Sequence, residues 1–122
     1  MRTEDVQWAK QFQEELENGG SYPNWSSDDL RKIIFDEELR HQLVVEIRPR
    51  GLDFFSEPIP VFSKWPDAPC IYIRFSESYI QPAMYARQAG WLTYELVAGH
   101  FHMLVDAVAV ANMIVESVNN LD

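Results

Sequence analysis

Two histidines stand close together near the end of the chain, in Gly99-His100-Phe101-His102-Met103-Leu104. Imidazole is the side chain that takes up and returns a proton near neutral pH, so a histidine on a tight turn is a candidate general base. His100 has two readings, a base or a polar cap on the turn between a strand and a helix. His102 reads as a packing or cap residue. Cys70 opens an apolar run with no base or polar neighbour in sequence, which makes it a small core residue rather than a nucleophile. Glu77, in Ser76-Glu77-Ser78, reads on residue type alone as a solvated turn carboxylate. The acidic stretches at 14–17 and 36–38 read as solvated helix faces.

These residues depend on the elements around them. Val6, Ala9, Phe12 and Leu16 recur at helical spacing behind Thr3, a cap residue, until Asn18-Gly19-Gly20 ends the run. Ser26 or Ser27 is placed to cap a second helix with Leu30, Ile33 and Ile34 on one face. Asp36 restarts the helical pattern, with Leu39, Leu43, Val44 and Ile47 as its stripe up to Arg48-Pro49. Residues 49–69 hold five prolines, which remove backbone donors and favour extended, irregular chain anchored by Phe54, Phe55, Phe62 and Trp65. Cys70 to Phe75 reads as a strand, Gln81 to Gln88 as a helix ending at Ala89-Gly90, Trp91 to Val97 as a second strand, and Val105 to Val118 as a last helix. A helical crossover between two strands implies that they run parallel with a right-handed connection. The expectation is one α/β domain over 1–122: a helical segment at 1–48, a proline-rich connection at 49–69 and a β-α-β-α unit at 70–122.

Composition narrows the function. The chain has 122 residues, 47% of them hydrophobic and 13% aromatic, enough apolar content for a core. Its formal net charge of −9 argues against phosphate-backbone binding, so nucleic acid is not an expected partner. One cysteine with no Cys/His cluster indicates neither a disulfide scaffold nor a zinc site, and no cofactor is implied. The start Met1-Arg2-Thr3-Glu4-Asp5 lacks the apolar core of a signal peptide, and no apolar run is long enough to span a bilayer, so a cytoplasmic protein without membrane contact is expected.

From Trp65 onward the sequence resembles the C-terminal part of α/β-hydrolase-fold proteins, including thioesterase-like members. The resemblance rests on Asp67-Ala68-Pro69-Cys70-Ile71-Tyr72-Ile73-Arg74-Phe75-Ser76, on Ala86-Arg87-Gln88-Ala89-Gly90-Trp91 and on Gly99-His100-Phe101-His102-Met103-Leu104-Val105-Asp106. Residues 1–64 are similar, more loosely, to the helical cap and connection that precede the last strands of that fold. The resemblance implies a partial α/β-hydrolase fold in which His100 is the base of a catalytic triad for ester or thioester acyl hydrolysis or transfer. It also implies a carboxylate after the preceding strand, where Glu77 is the local candidate.

The sequence departs from the family at the nucleophile. No Gly-x-Ser-x-Gly elbow occurs, and the early loop that donates to an oxyanion is missing. An incomplete triad of this kind implies no efficient acyl transfer by the chain alone. Two parallel strands also leave open edges and uncovered faces. Two kinds of partner follow as expectations: a complementary chain that carries the nucleophile half, or further copies of the same chain in a homo-oligomer. A non-catalytic oligomerisation or binding module derived from the hydrolase fold is the alternative, and a small α/β protein with an accidental histidine motif is a third.

Overall fold

A computed structural model of the chain describes residues 3–121, and side chains from Val6 to Leu121. The chain divides into two compact units, Met1–Pro60 and Val61–Asp122, and the boundary falls inside the proline-rich segment.

In the first unit, α1 spans Thr3–Glu17. Its stop is a Schellman motif, with Gly19 N–H donating to the Leu16 carbonyl at 3.0 Å and Gly20 N–H to the Glu15 carbonyl at 2.9 Å. Gly19 takes the left-handed φ of +87° that this motif needs, and a Cβ on Gly20 would lie 2.6 Å from the Glu15 oxygen. The expected cap, the Thr3 side chain, lies outside the described side chains. Along the apolar stripe, Leu16 is buried and Phe12 half-buried, whereas Val6 and Ala9 are exposed. Helix α2 spans Glu37–Glu46 and opens as expected on Asp36, whose carboxylate accepts from Leu39 N–H at 2.8 Å.

Two expectations for this unit need correction. Residues 26–34 form successive turns, not a helix. Ser26 does cap as expected: Ser26 N–H and Oγ donate to Asp29 Oδ2 at 2.8 and 2.7 Å and Asp29 N–H donates to Ser26 Oγ at 3.2 Å, the reciprocal bonds of a capping box, yet the chain continues only as turns. These bonds hold the Asp29 carboxyl below the ordinary carboxylate value. Further on, the Arg40 guanidinium takes the Ile34 and Phe35 carbonyls, at 2.8 and 3.0 Å, that a continuing helix would have used. The segment 49–69 is also not wholly irregular. The proline-free interval after Pro49 forms α3, Leu52–Ser56, whose Phe55 meets Phe12 edge-to-face with centroids 5.2 Å apart. Of the expected aromatic anchors, Trp65 packs on Trp91, while Phe62 is 74% exposed.

The second unit mixes helix and strand. Strand β1 (Ile71–Arg74) pairs in parallel with β2 (Leu92–Glu95) in the register Ile71 to Leu92 and Arg74 to Glu95. Between them run a 3₁₀ turn at Glu77–Tyr79 and helix α4, Ile80–Gln88. Helix α4 ends in a second Schellman motif: Gly90 N–H reaches the Arg87 carbonyl at 3.0 Å and Trp91 N–H the Ala86 carbonyl at 3.0 Å. Gly90 has φ +82°, and a Cβ there would meet nothing within 4 Å. Gly90→Ala is therefore a purely backbone perturbation, expected to cost about 1 kcal/mol without moving the strand register. Urea unfolding followed by β2 amide signals checks this; no change in midpoint would mean that the turn relaxes out of its left-handed conformation.

The expected last helix, Val105 to Val118, is present with its start moved to Ala107 and a short helix ahead of it. Helix α5 (His102–Val105) stops at Asp106, and Asp106 then caps α6 (Ala107–Asn119) by accepting from Ala109 N–H at 2.9 Å. Strand parity sorts the sheet faces. Arg87 of α4 bonds Thr93 Oγ1, which places the Thr93 and Glu95 side chains, with Tyr72 and Arg74 opposite them, on the α4 side. Asn120, just past α6, donates to Tyr94 Oη at 3.2 Å and marks the other face.

Burial is sparse. Among the described residues only Leu16, Leu30, Ile34, Ala86 and Val110 are buried hydrophobics, while Val97, Val108 and Val115 are 87%, 70% and 58% exposed. The chain exposes 9815 Å², against about 8,200 Å² for two separate globules each of half its mass. No helix among the described residues is long and apolar enough to cross a membrane.

Candidate functional site

Parallel pairing decides where the candidate residues stand. Because β1 and β2 point the same way, the chain leaves both strands at one end of the sheet, the end where α/β sheets place their ligands. Glu77 begins the 3₁₀ turn three residues after β1, and His100 lies five residues after β2. The structure brings these two segments into contact: the His100 imidazole lies flat on the Tyr79 ring, with centroids 5.2 Å apart and planes 5° from parallel. Phe101 meets His100 edge-on at 5.1 Å.

The contact is aromatic rather than polar. Among the described residues neither the His100 imidazole nor the Glu77 carboxylate makes a side-chain hydrogen bond, and both are exposed. The two residues are thus on one end of the sheet without forming a bonded acid–base pair. Among the described residues no serine hydroxyl bonds the imidazole. A base exposed in this way stands in bulk water, where neither oxyanion stabilisation nor water exclusion assists it. His102 packs its ring near Phe75 at 6.1 Å, as a packing residue does. Cys70 is half-buried, with its thiol 3.4 Å from the Ala68 carbonyl. No cluster of three or more histidine, cysteine or carboxylate side chains suited to a metal occurs among the described residues.

Tyr79 is the residue that sequence reasoning passed over. It stands two residues after Glu77 and anchors the turn through its backbone, donating N–H to the Ser76 carbonyl at 3.2 Å. Its signal was its place as the first aromatic after the strand-ending turn. Arg74 also escaped notice. Inside an apolar strand, its guanidinium pairs with Glu95 and donates to the Ser76 carbonyl at 3.1 Å, tying the end of β1 to the turn that carries Glu77. Nearby, burial pushes the Tyr72 phenol up, with Tyr79 adding to the shift and Arg74 opposing it, so Tyr72 stays protonated beyond the ordinary tyrosine value.

Compared with protein families, curated proteins and solved structures, the chain finds no match.

Proposed function

We propose that the chain supplies the histidine half of an α/β-hydrolase-like site for ester or thioester hydrolysis or transfer, and that a complementary polypeptide supplies the serine. The observation that supports this is the convergence of the post-β1 turn and the post-β2 turn at one end of a parallel pair, with His100 exposed there against Tyr79. In such a site the His100 imidazole takes the proton from the incoming serine as it attacks the acyl carbonyl, then returns that proton to the leaving oxygen or sulfur. Water repeats the cycle to release the acid. Glu77, once the partner narrows the space around it, holds the imidazole tautomer.

The bare apolar surface supports the need for a partner. Val97, on the path from β2 to His100, is 87% exposed, and each strand of the pair keeps one unpaired edge among the described residues. A second reading, a non-catalytic module that covers these surfaces with its own copies, is favoured by the missing hydrogen bond between His100 and a carboxylate.

Light scattering and a serine-directed fluorophosphonate probe separate the two. The purified chain is expected to hydrolyse no p-nitrophenyl ester alone. A chain bearing Gly-x-Ser-x-Gly that copurifies with it should become labelled and active only in the mixture, in a complex of equal stoichiometry. A stable homo-oligomer that neither recruits nor activates such a chain would overturn the hydrolase reading and leave the module.

A further inference from the structure

Residues 61–122 carry only three lysines and arginines against six carboxylates, yet two of the three, Arg74 and Arg87, line a single groove of about 290 Å³ between α4 and the strand pair. The geometry points to this groove as a binding site for a small organic monocarboxylate, gripped by Arg87. The inference does not depend on the acyl-transfer reading, because the groove lies on the α4 face and uses neither His100 nor Glu77.

The charges in the groove are unequally matched. Arg74 is largely buried and satisfied: its guanidinium pairs with the Glu95 carboxylate and reaches the Ser76 carbonyl. Arg87 has no ion-pair partner among the described residues. Its Nε and Nη2 both converge on one oxygen, Thr93 Oγ1, at 3.2 and 3.1 Å. In place of that shared neutral hydroxyl, a carboxylate would offer the same two donors one charged oxygen each, the fork geometry of an arginine–carboxylate pair. The groove therefore holds one net positive charge, with the donor geometry preset by Thr93.

Its remaining wall is apolar, formed by Ile80, Ala83 and Met84 of α4. At roughly 30 Å³ for each water-sized group, the volume takes a ligand of about ten such groups. A carboxylate on Arg87 with a short alkyl chain over Met84 and Ile80 satisfies both walls. Glu95 sets the charge limit, since a dianion would bring a second negative charge toward its carboxylate with no second free cation to meet it.

The test is a titration of the isotope-labelled full chain with hexanoate, followed at the Arg87 Nε–H, the Thr93 amide and the Met84 methyl. Saturable shifts confined to these groups are expected. Arg87→Met should weaken binding by tenfold or more, the loss expected for a charge-assisted pair. Arg87→Lys, which keeps the charge and loses the fork, should weaken it less. Arg31→Met, at an exposed arginine paired with Asp28 in the other unit, should leave it unchanged. Arg87 is exposed, so both of its variants are expected to keep the native amide spectrum. Shifts that do not saturate, equal binding by Arg87→Met, or sulfate binding at these groups as tightly as hexanoate would each overturn the proposal.

Discussion

Replacing His100 by alanine should lower the ester hydrolysis of the complemented preparation by about three to four orders of magnitude, the scale on which a triad base acts, while the chain itself stays folded. The second half of this expectation follows from the contacts. His100 is exposed and meets its neighbours through ring contacts, stacked on Tyr79 and edge-on with Phe101, so its removal leaves no buried polar group unpaired. The stacking is worth about 0.5–1.5 kcal/mol. The parallel register from Ile71 to Arg74 should therefore survive, which amide spectra of β1 and β2 would show. A complemented rate within a few-fold of the parent would remove His100 as the base, whatever the partner contributes. Lost activity together with lost β1–β2 amide dispersion would instead assign the imidazole a structural part.

The largest effect on stability is expected at Arg40. Its side chain is only 7% exposed, without a carboxylate partner among the described residues, and it donates to the Ile34 and Phe35 carbonyls and, at 3.4 Å, toward Ser27 Oγ. One guanidinium thus closes the turns at 27–35 onto α2. Arg40→Met keeps most of the aliphatic stem but leaves carbonyls of Ile34 and Phe35 without their donor. At about 1–3 kcal/mol for each buried group left unpaired, partly relieved by water, the loss should be about 2–4 kcal/mol. A unit of some sixty residues has little stability in reserve, so the variant should unfold residues 1–60 at markedly lower urea, read from their amide signals. An unchanged midpoint would mean that water replaces the guanidinium at little cost.

Much of the fold was legible because its punctuation is local. Gly19-Gly20 and Ala89-Gly90 stop helices through a left-handed glycine, and Asp36 starts one through its own carboxylate; each device involves residues within five positions of one another. The parallel pairing followed from the helical crossover between the two strands. Where the reading failed, the deciding contact lay elsewhere. Residues 26–34 have a helical stripe and the expected Ser26 cap, but Arg40 takes the carbonyls at the end of that stripe. The last helix was expected from Val105 and starts two residues later, at Ala107, because the Asp106 side chain caps it. The candidate site was half legible. His100 and Glu77 do reach one end of the sheet, yet their nearest connection, Tyr79 under the imidazole, is a tertiary stacking contact that no spacing rule encodes.

The surplus of exposed surface bears on the kind of assembly this chain would form. Relative to two ordinary globules it amounts to about 1,600 Å² on this chain alone, about twice what one partner contributes to an interface of standard size. Interfaces of that extent occur in obligate complexes and in many signalling assemblies alike. An association that covered these valines and strand edges would thus exceed the area of a passing redox-type encounter.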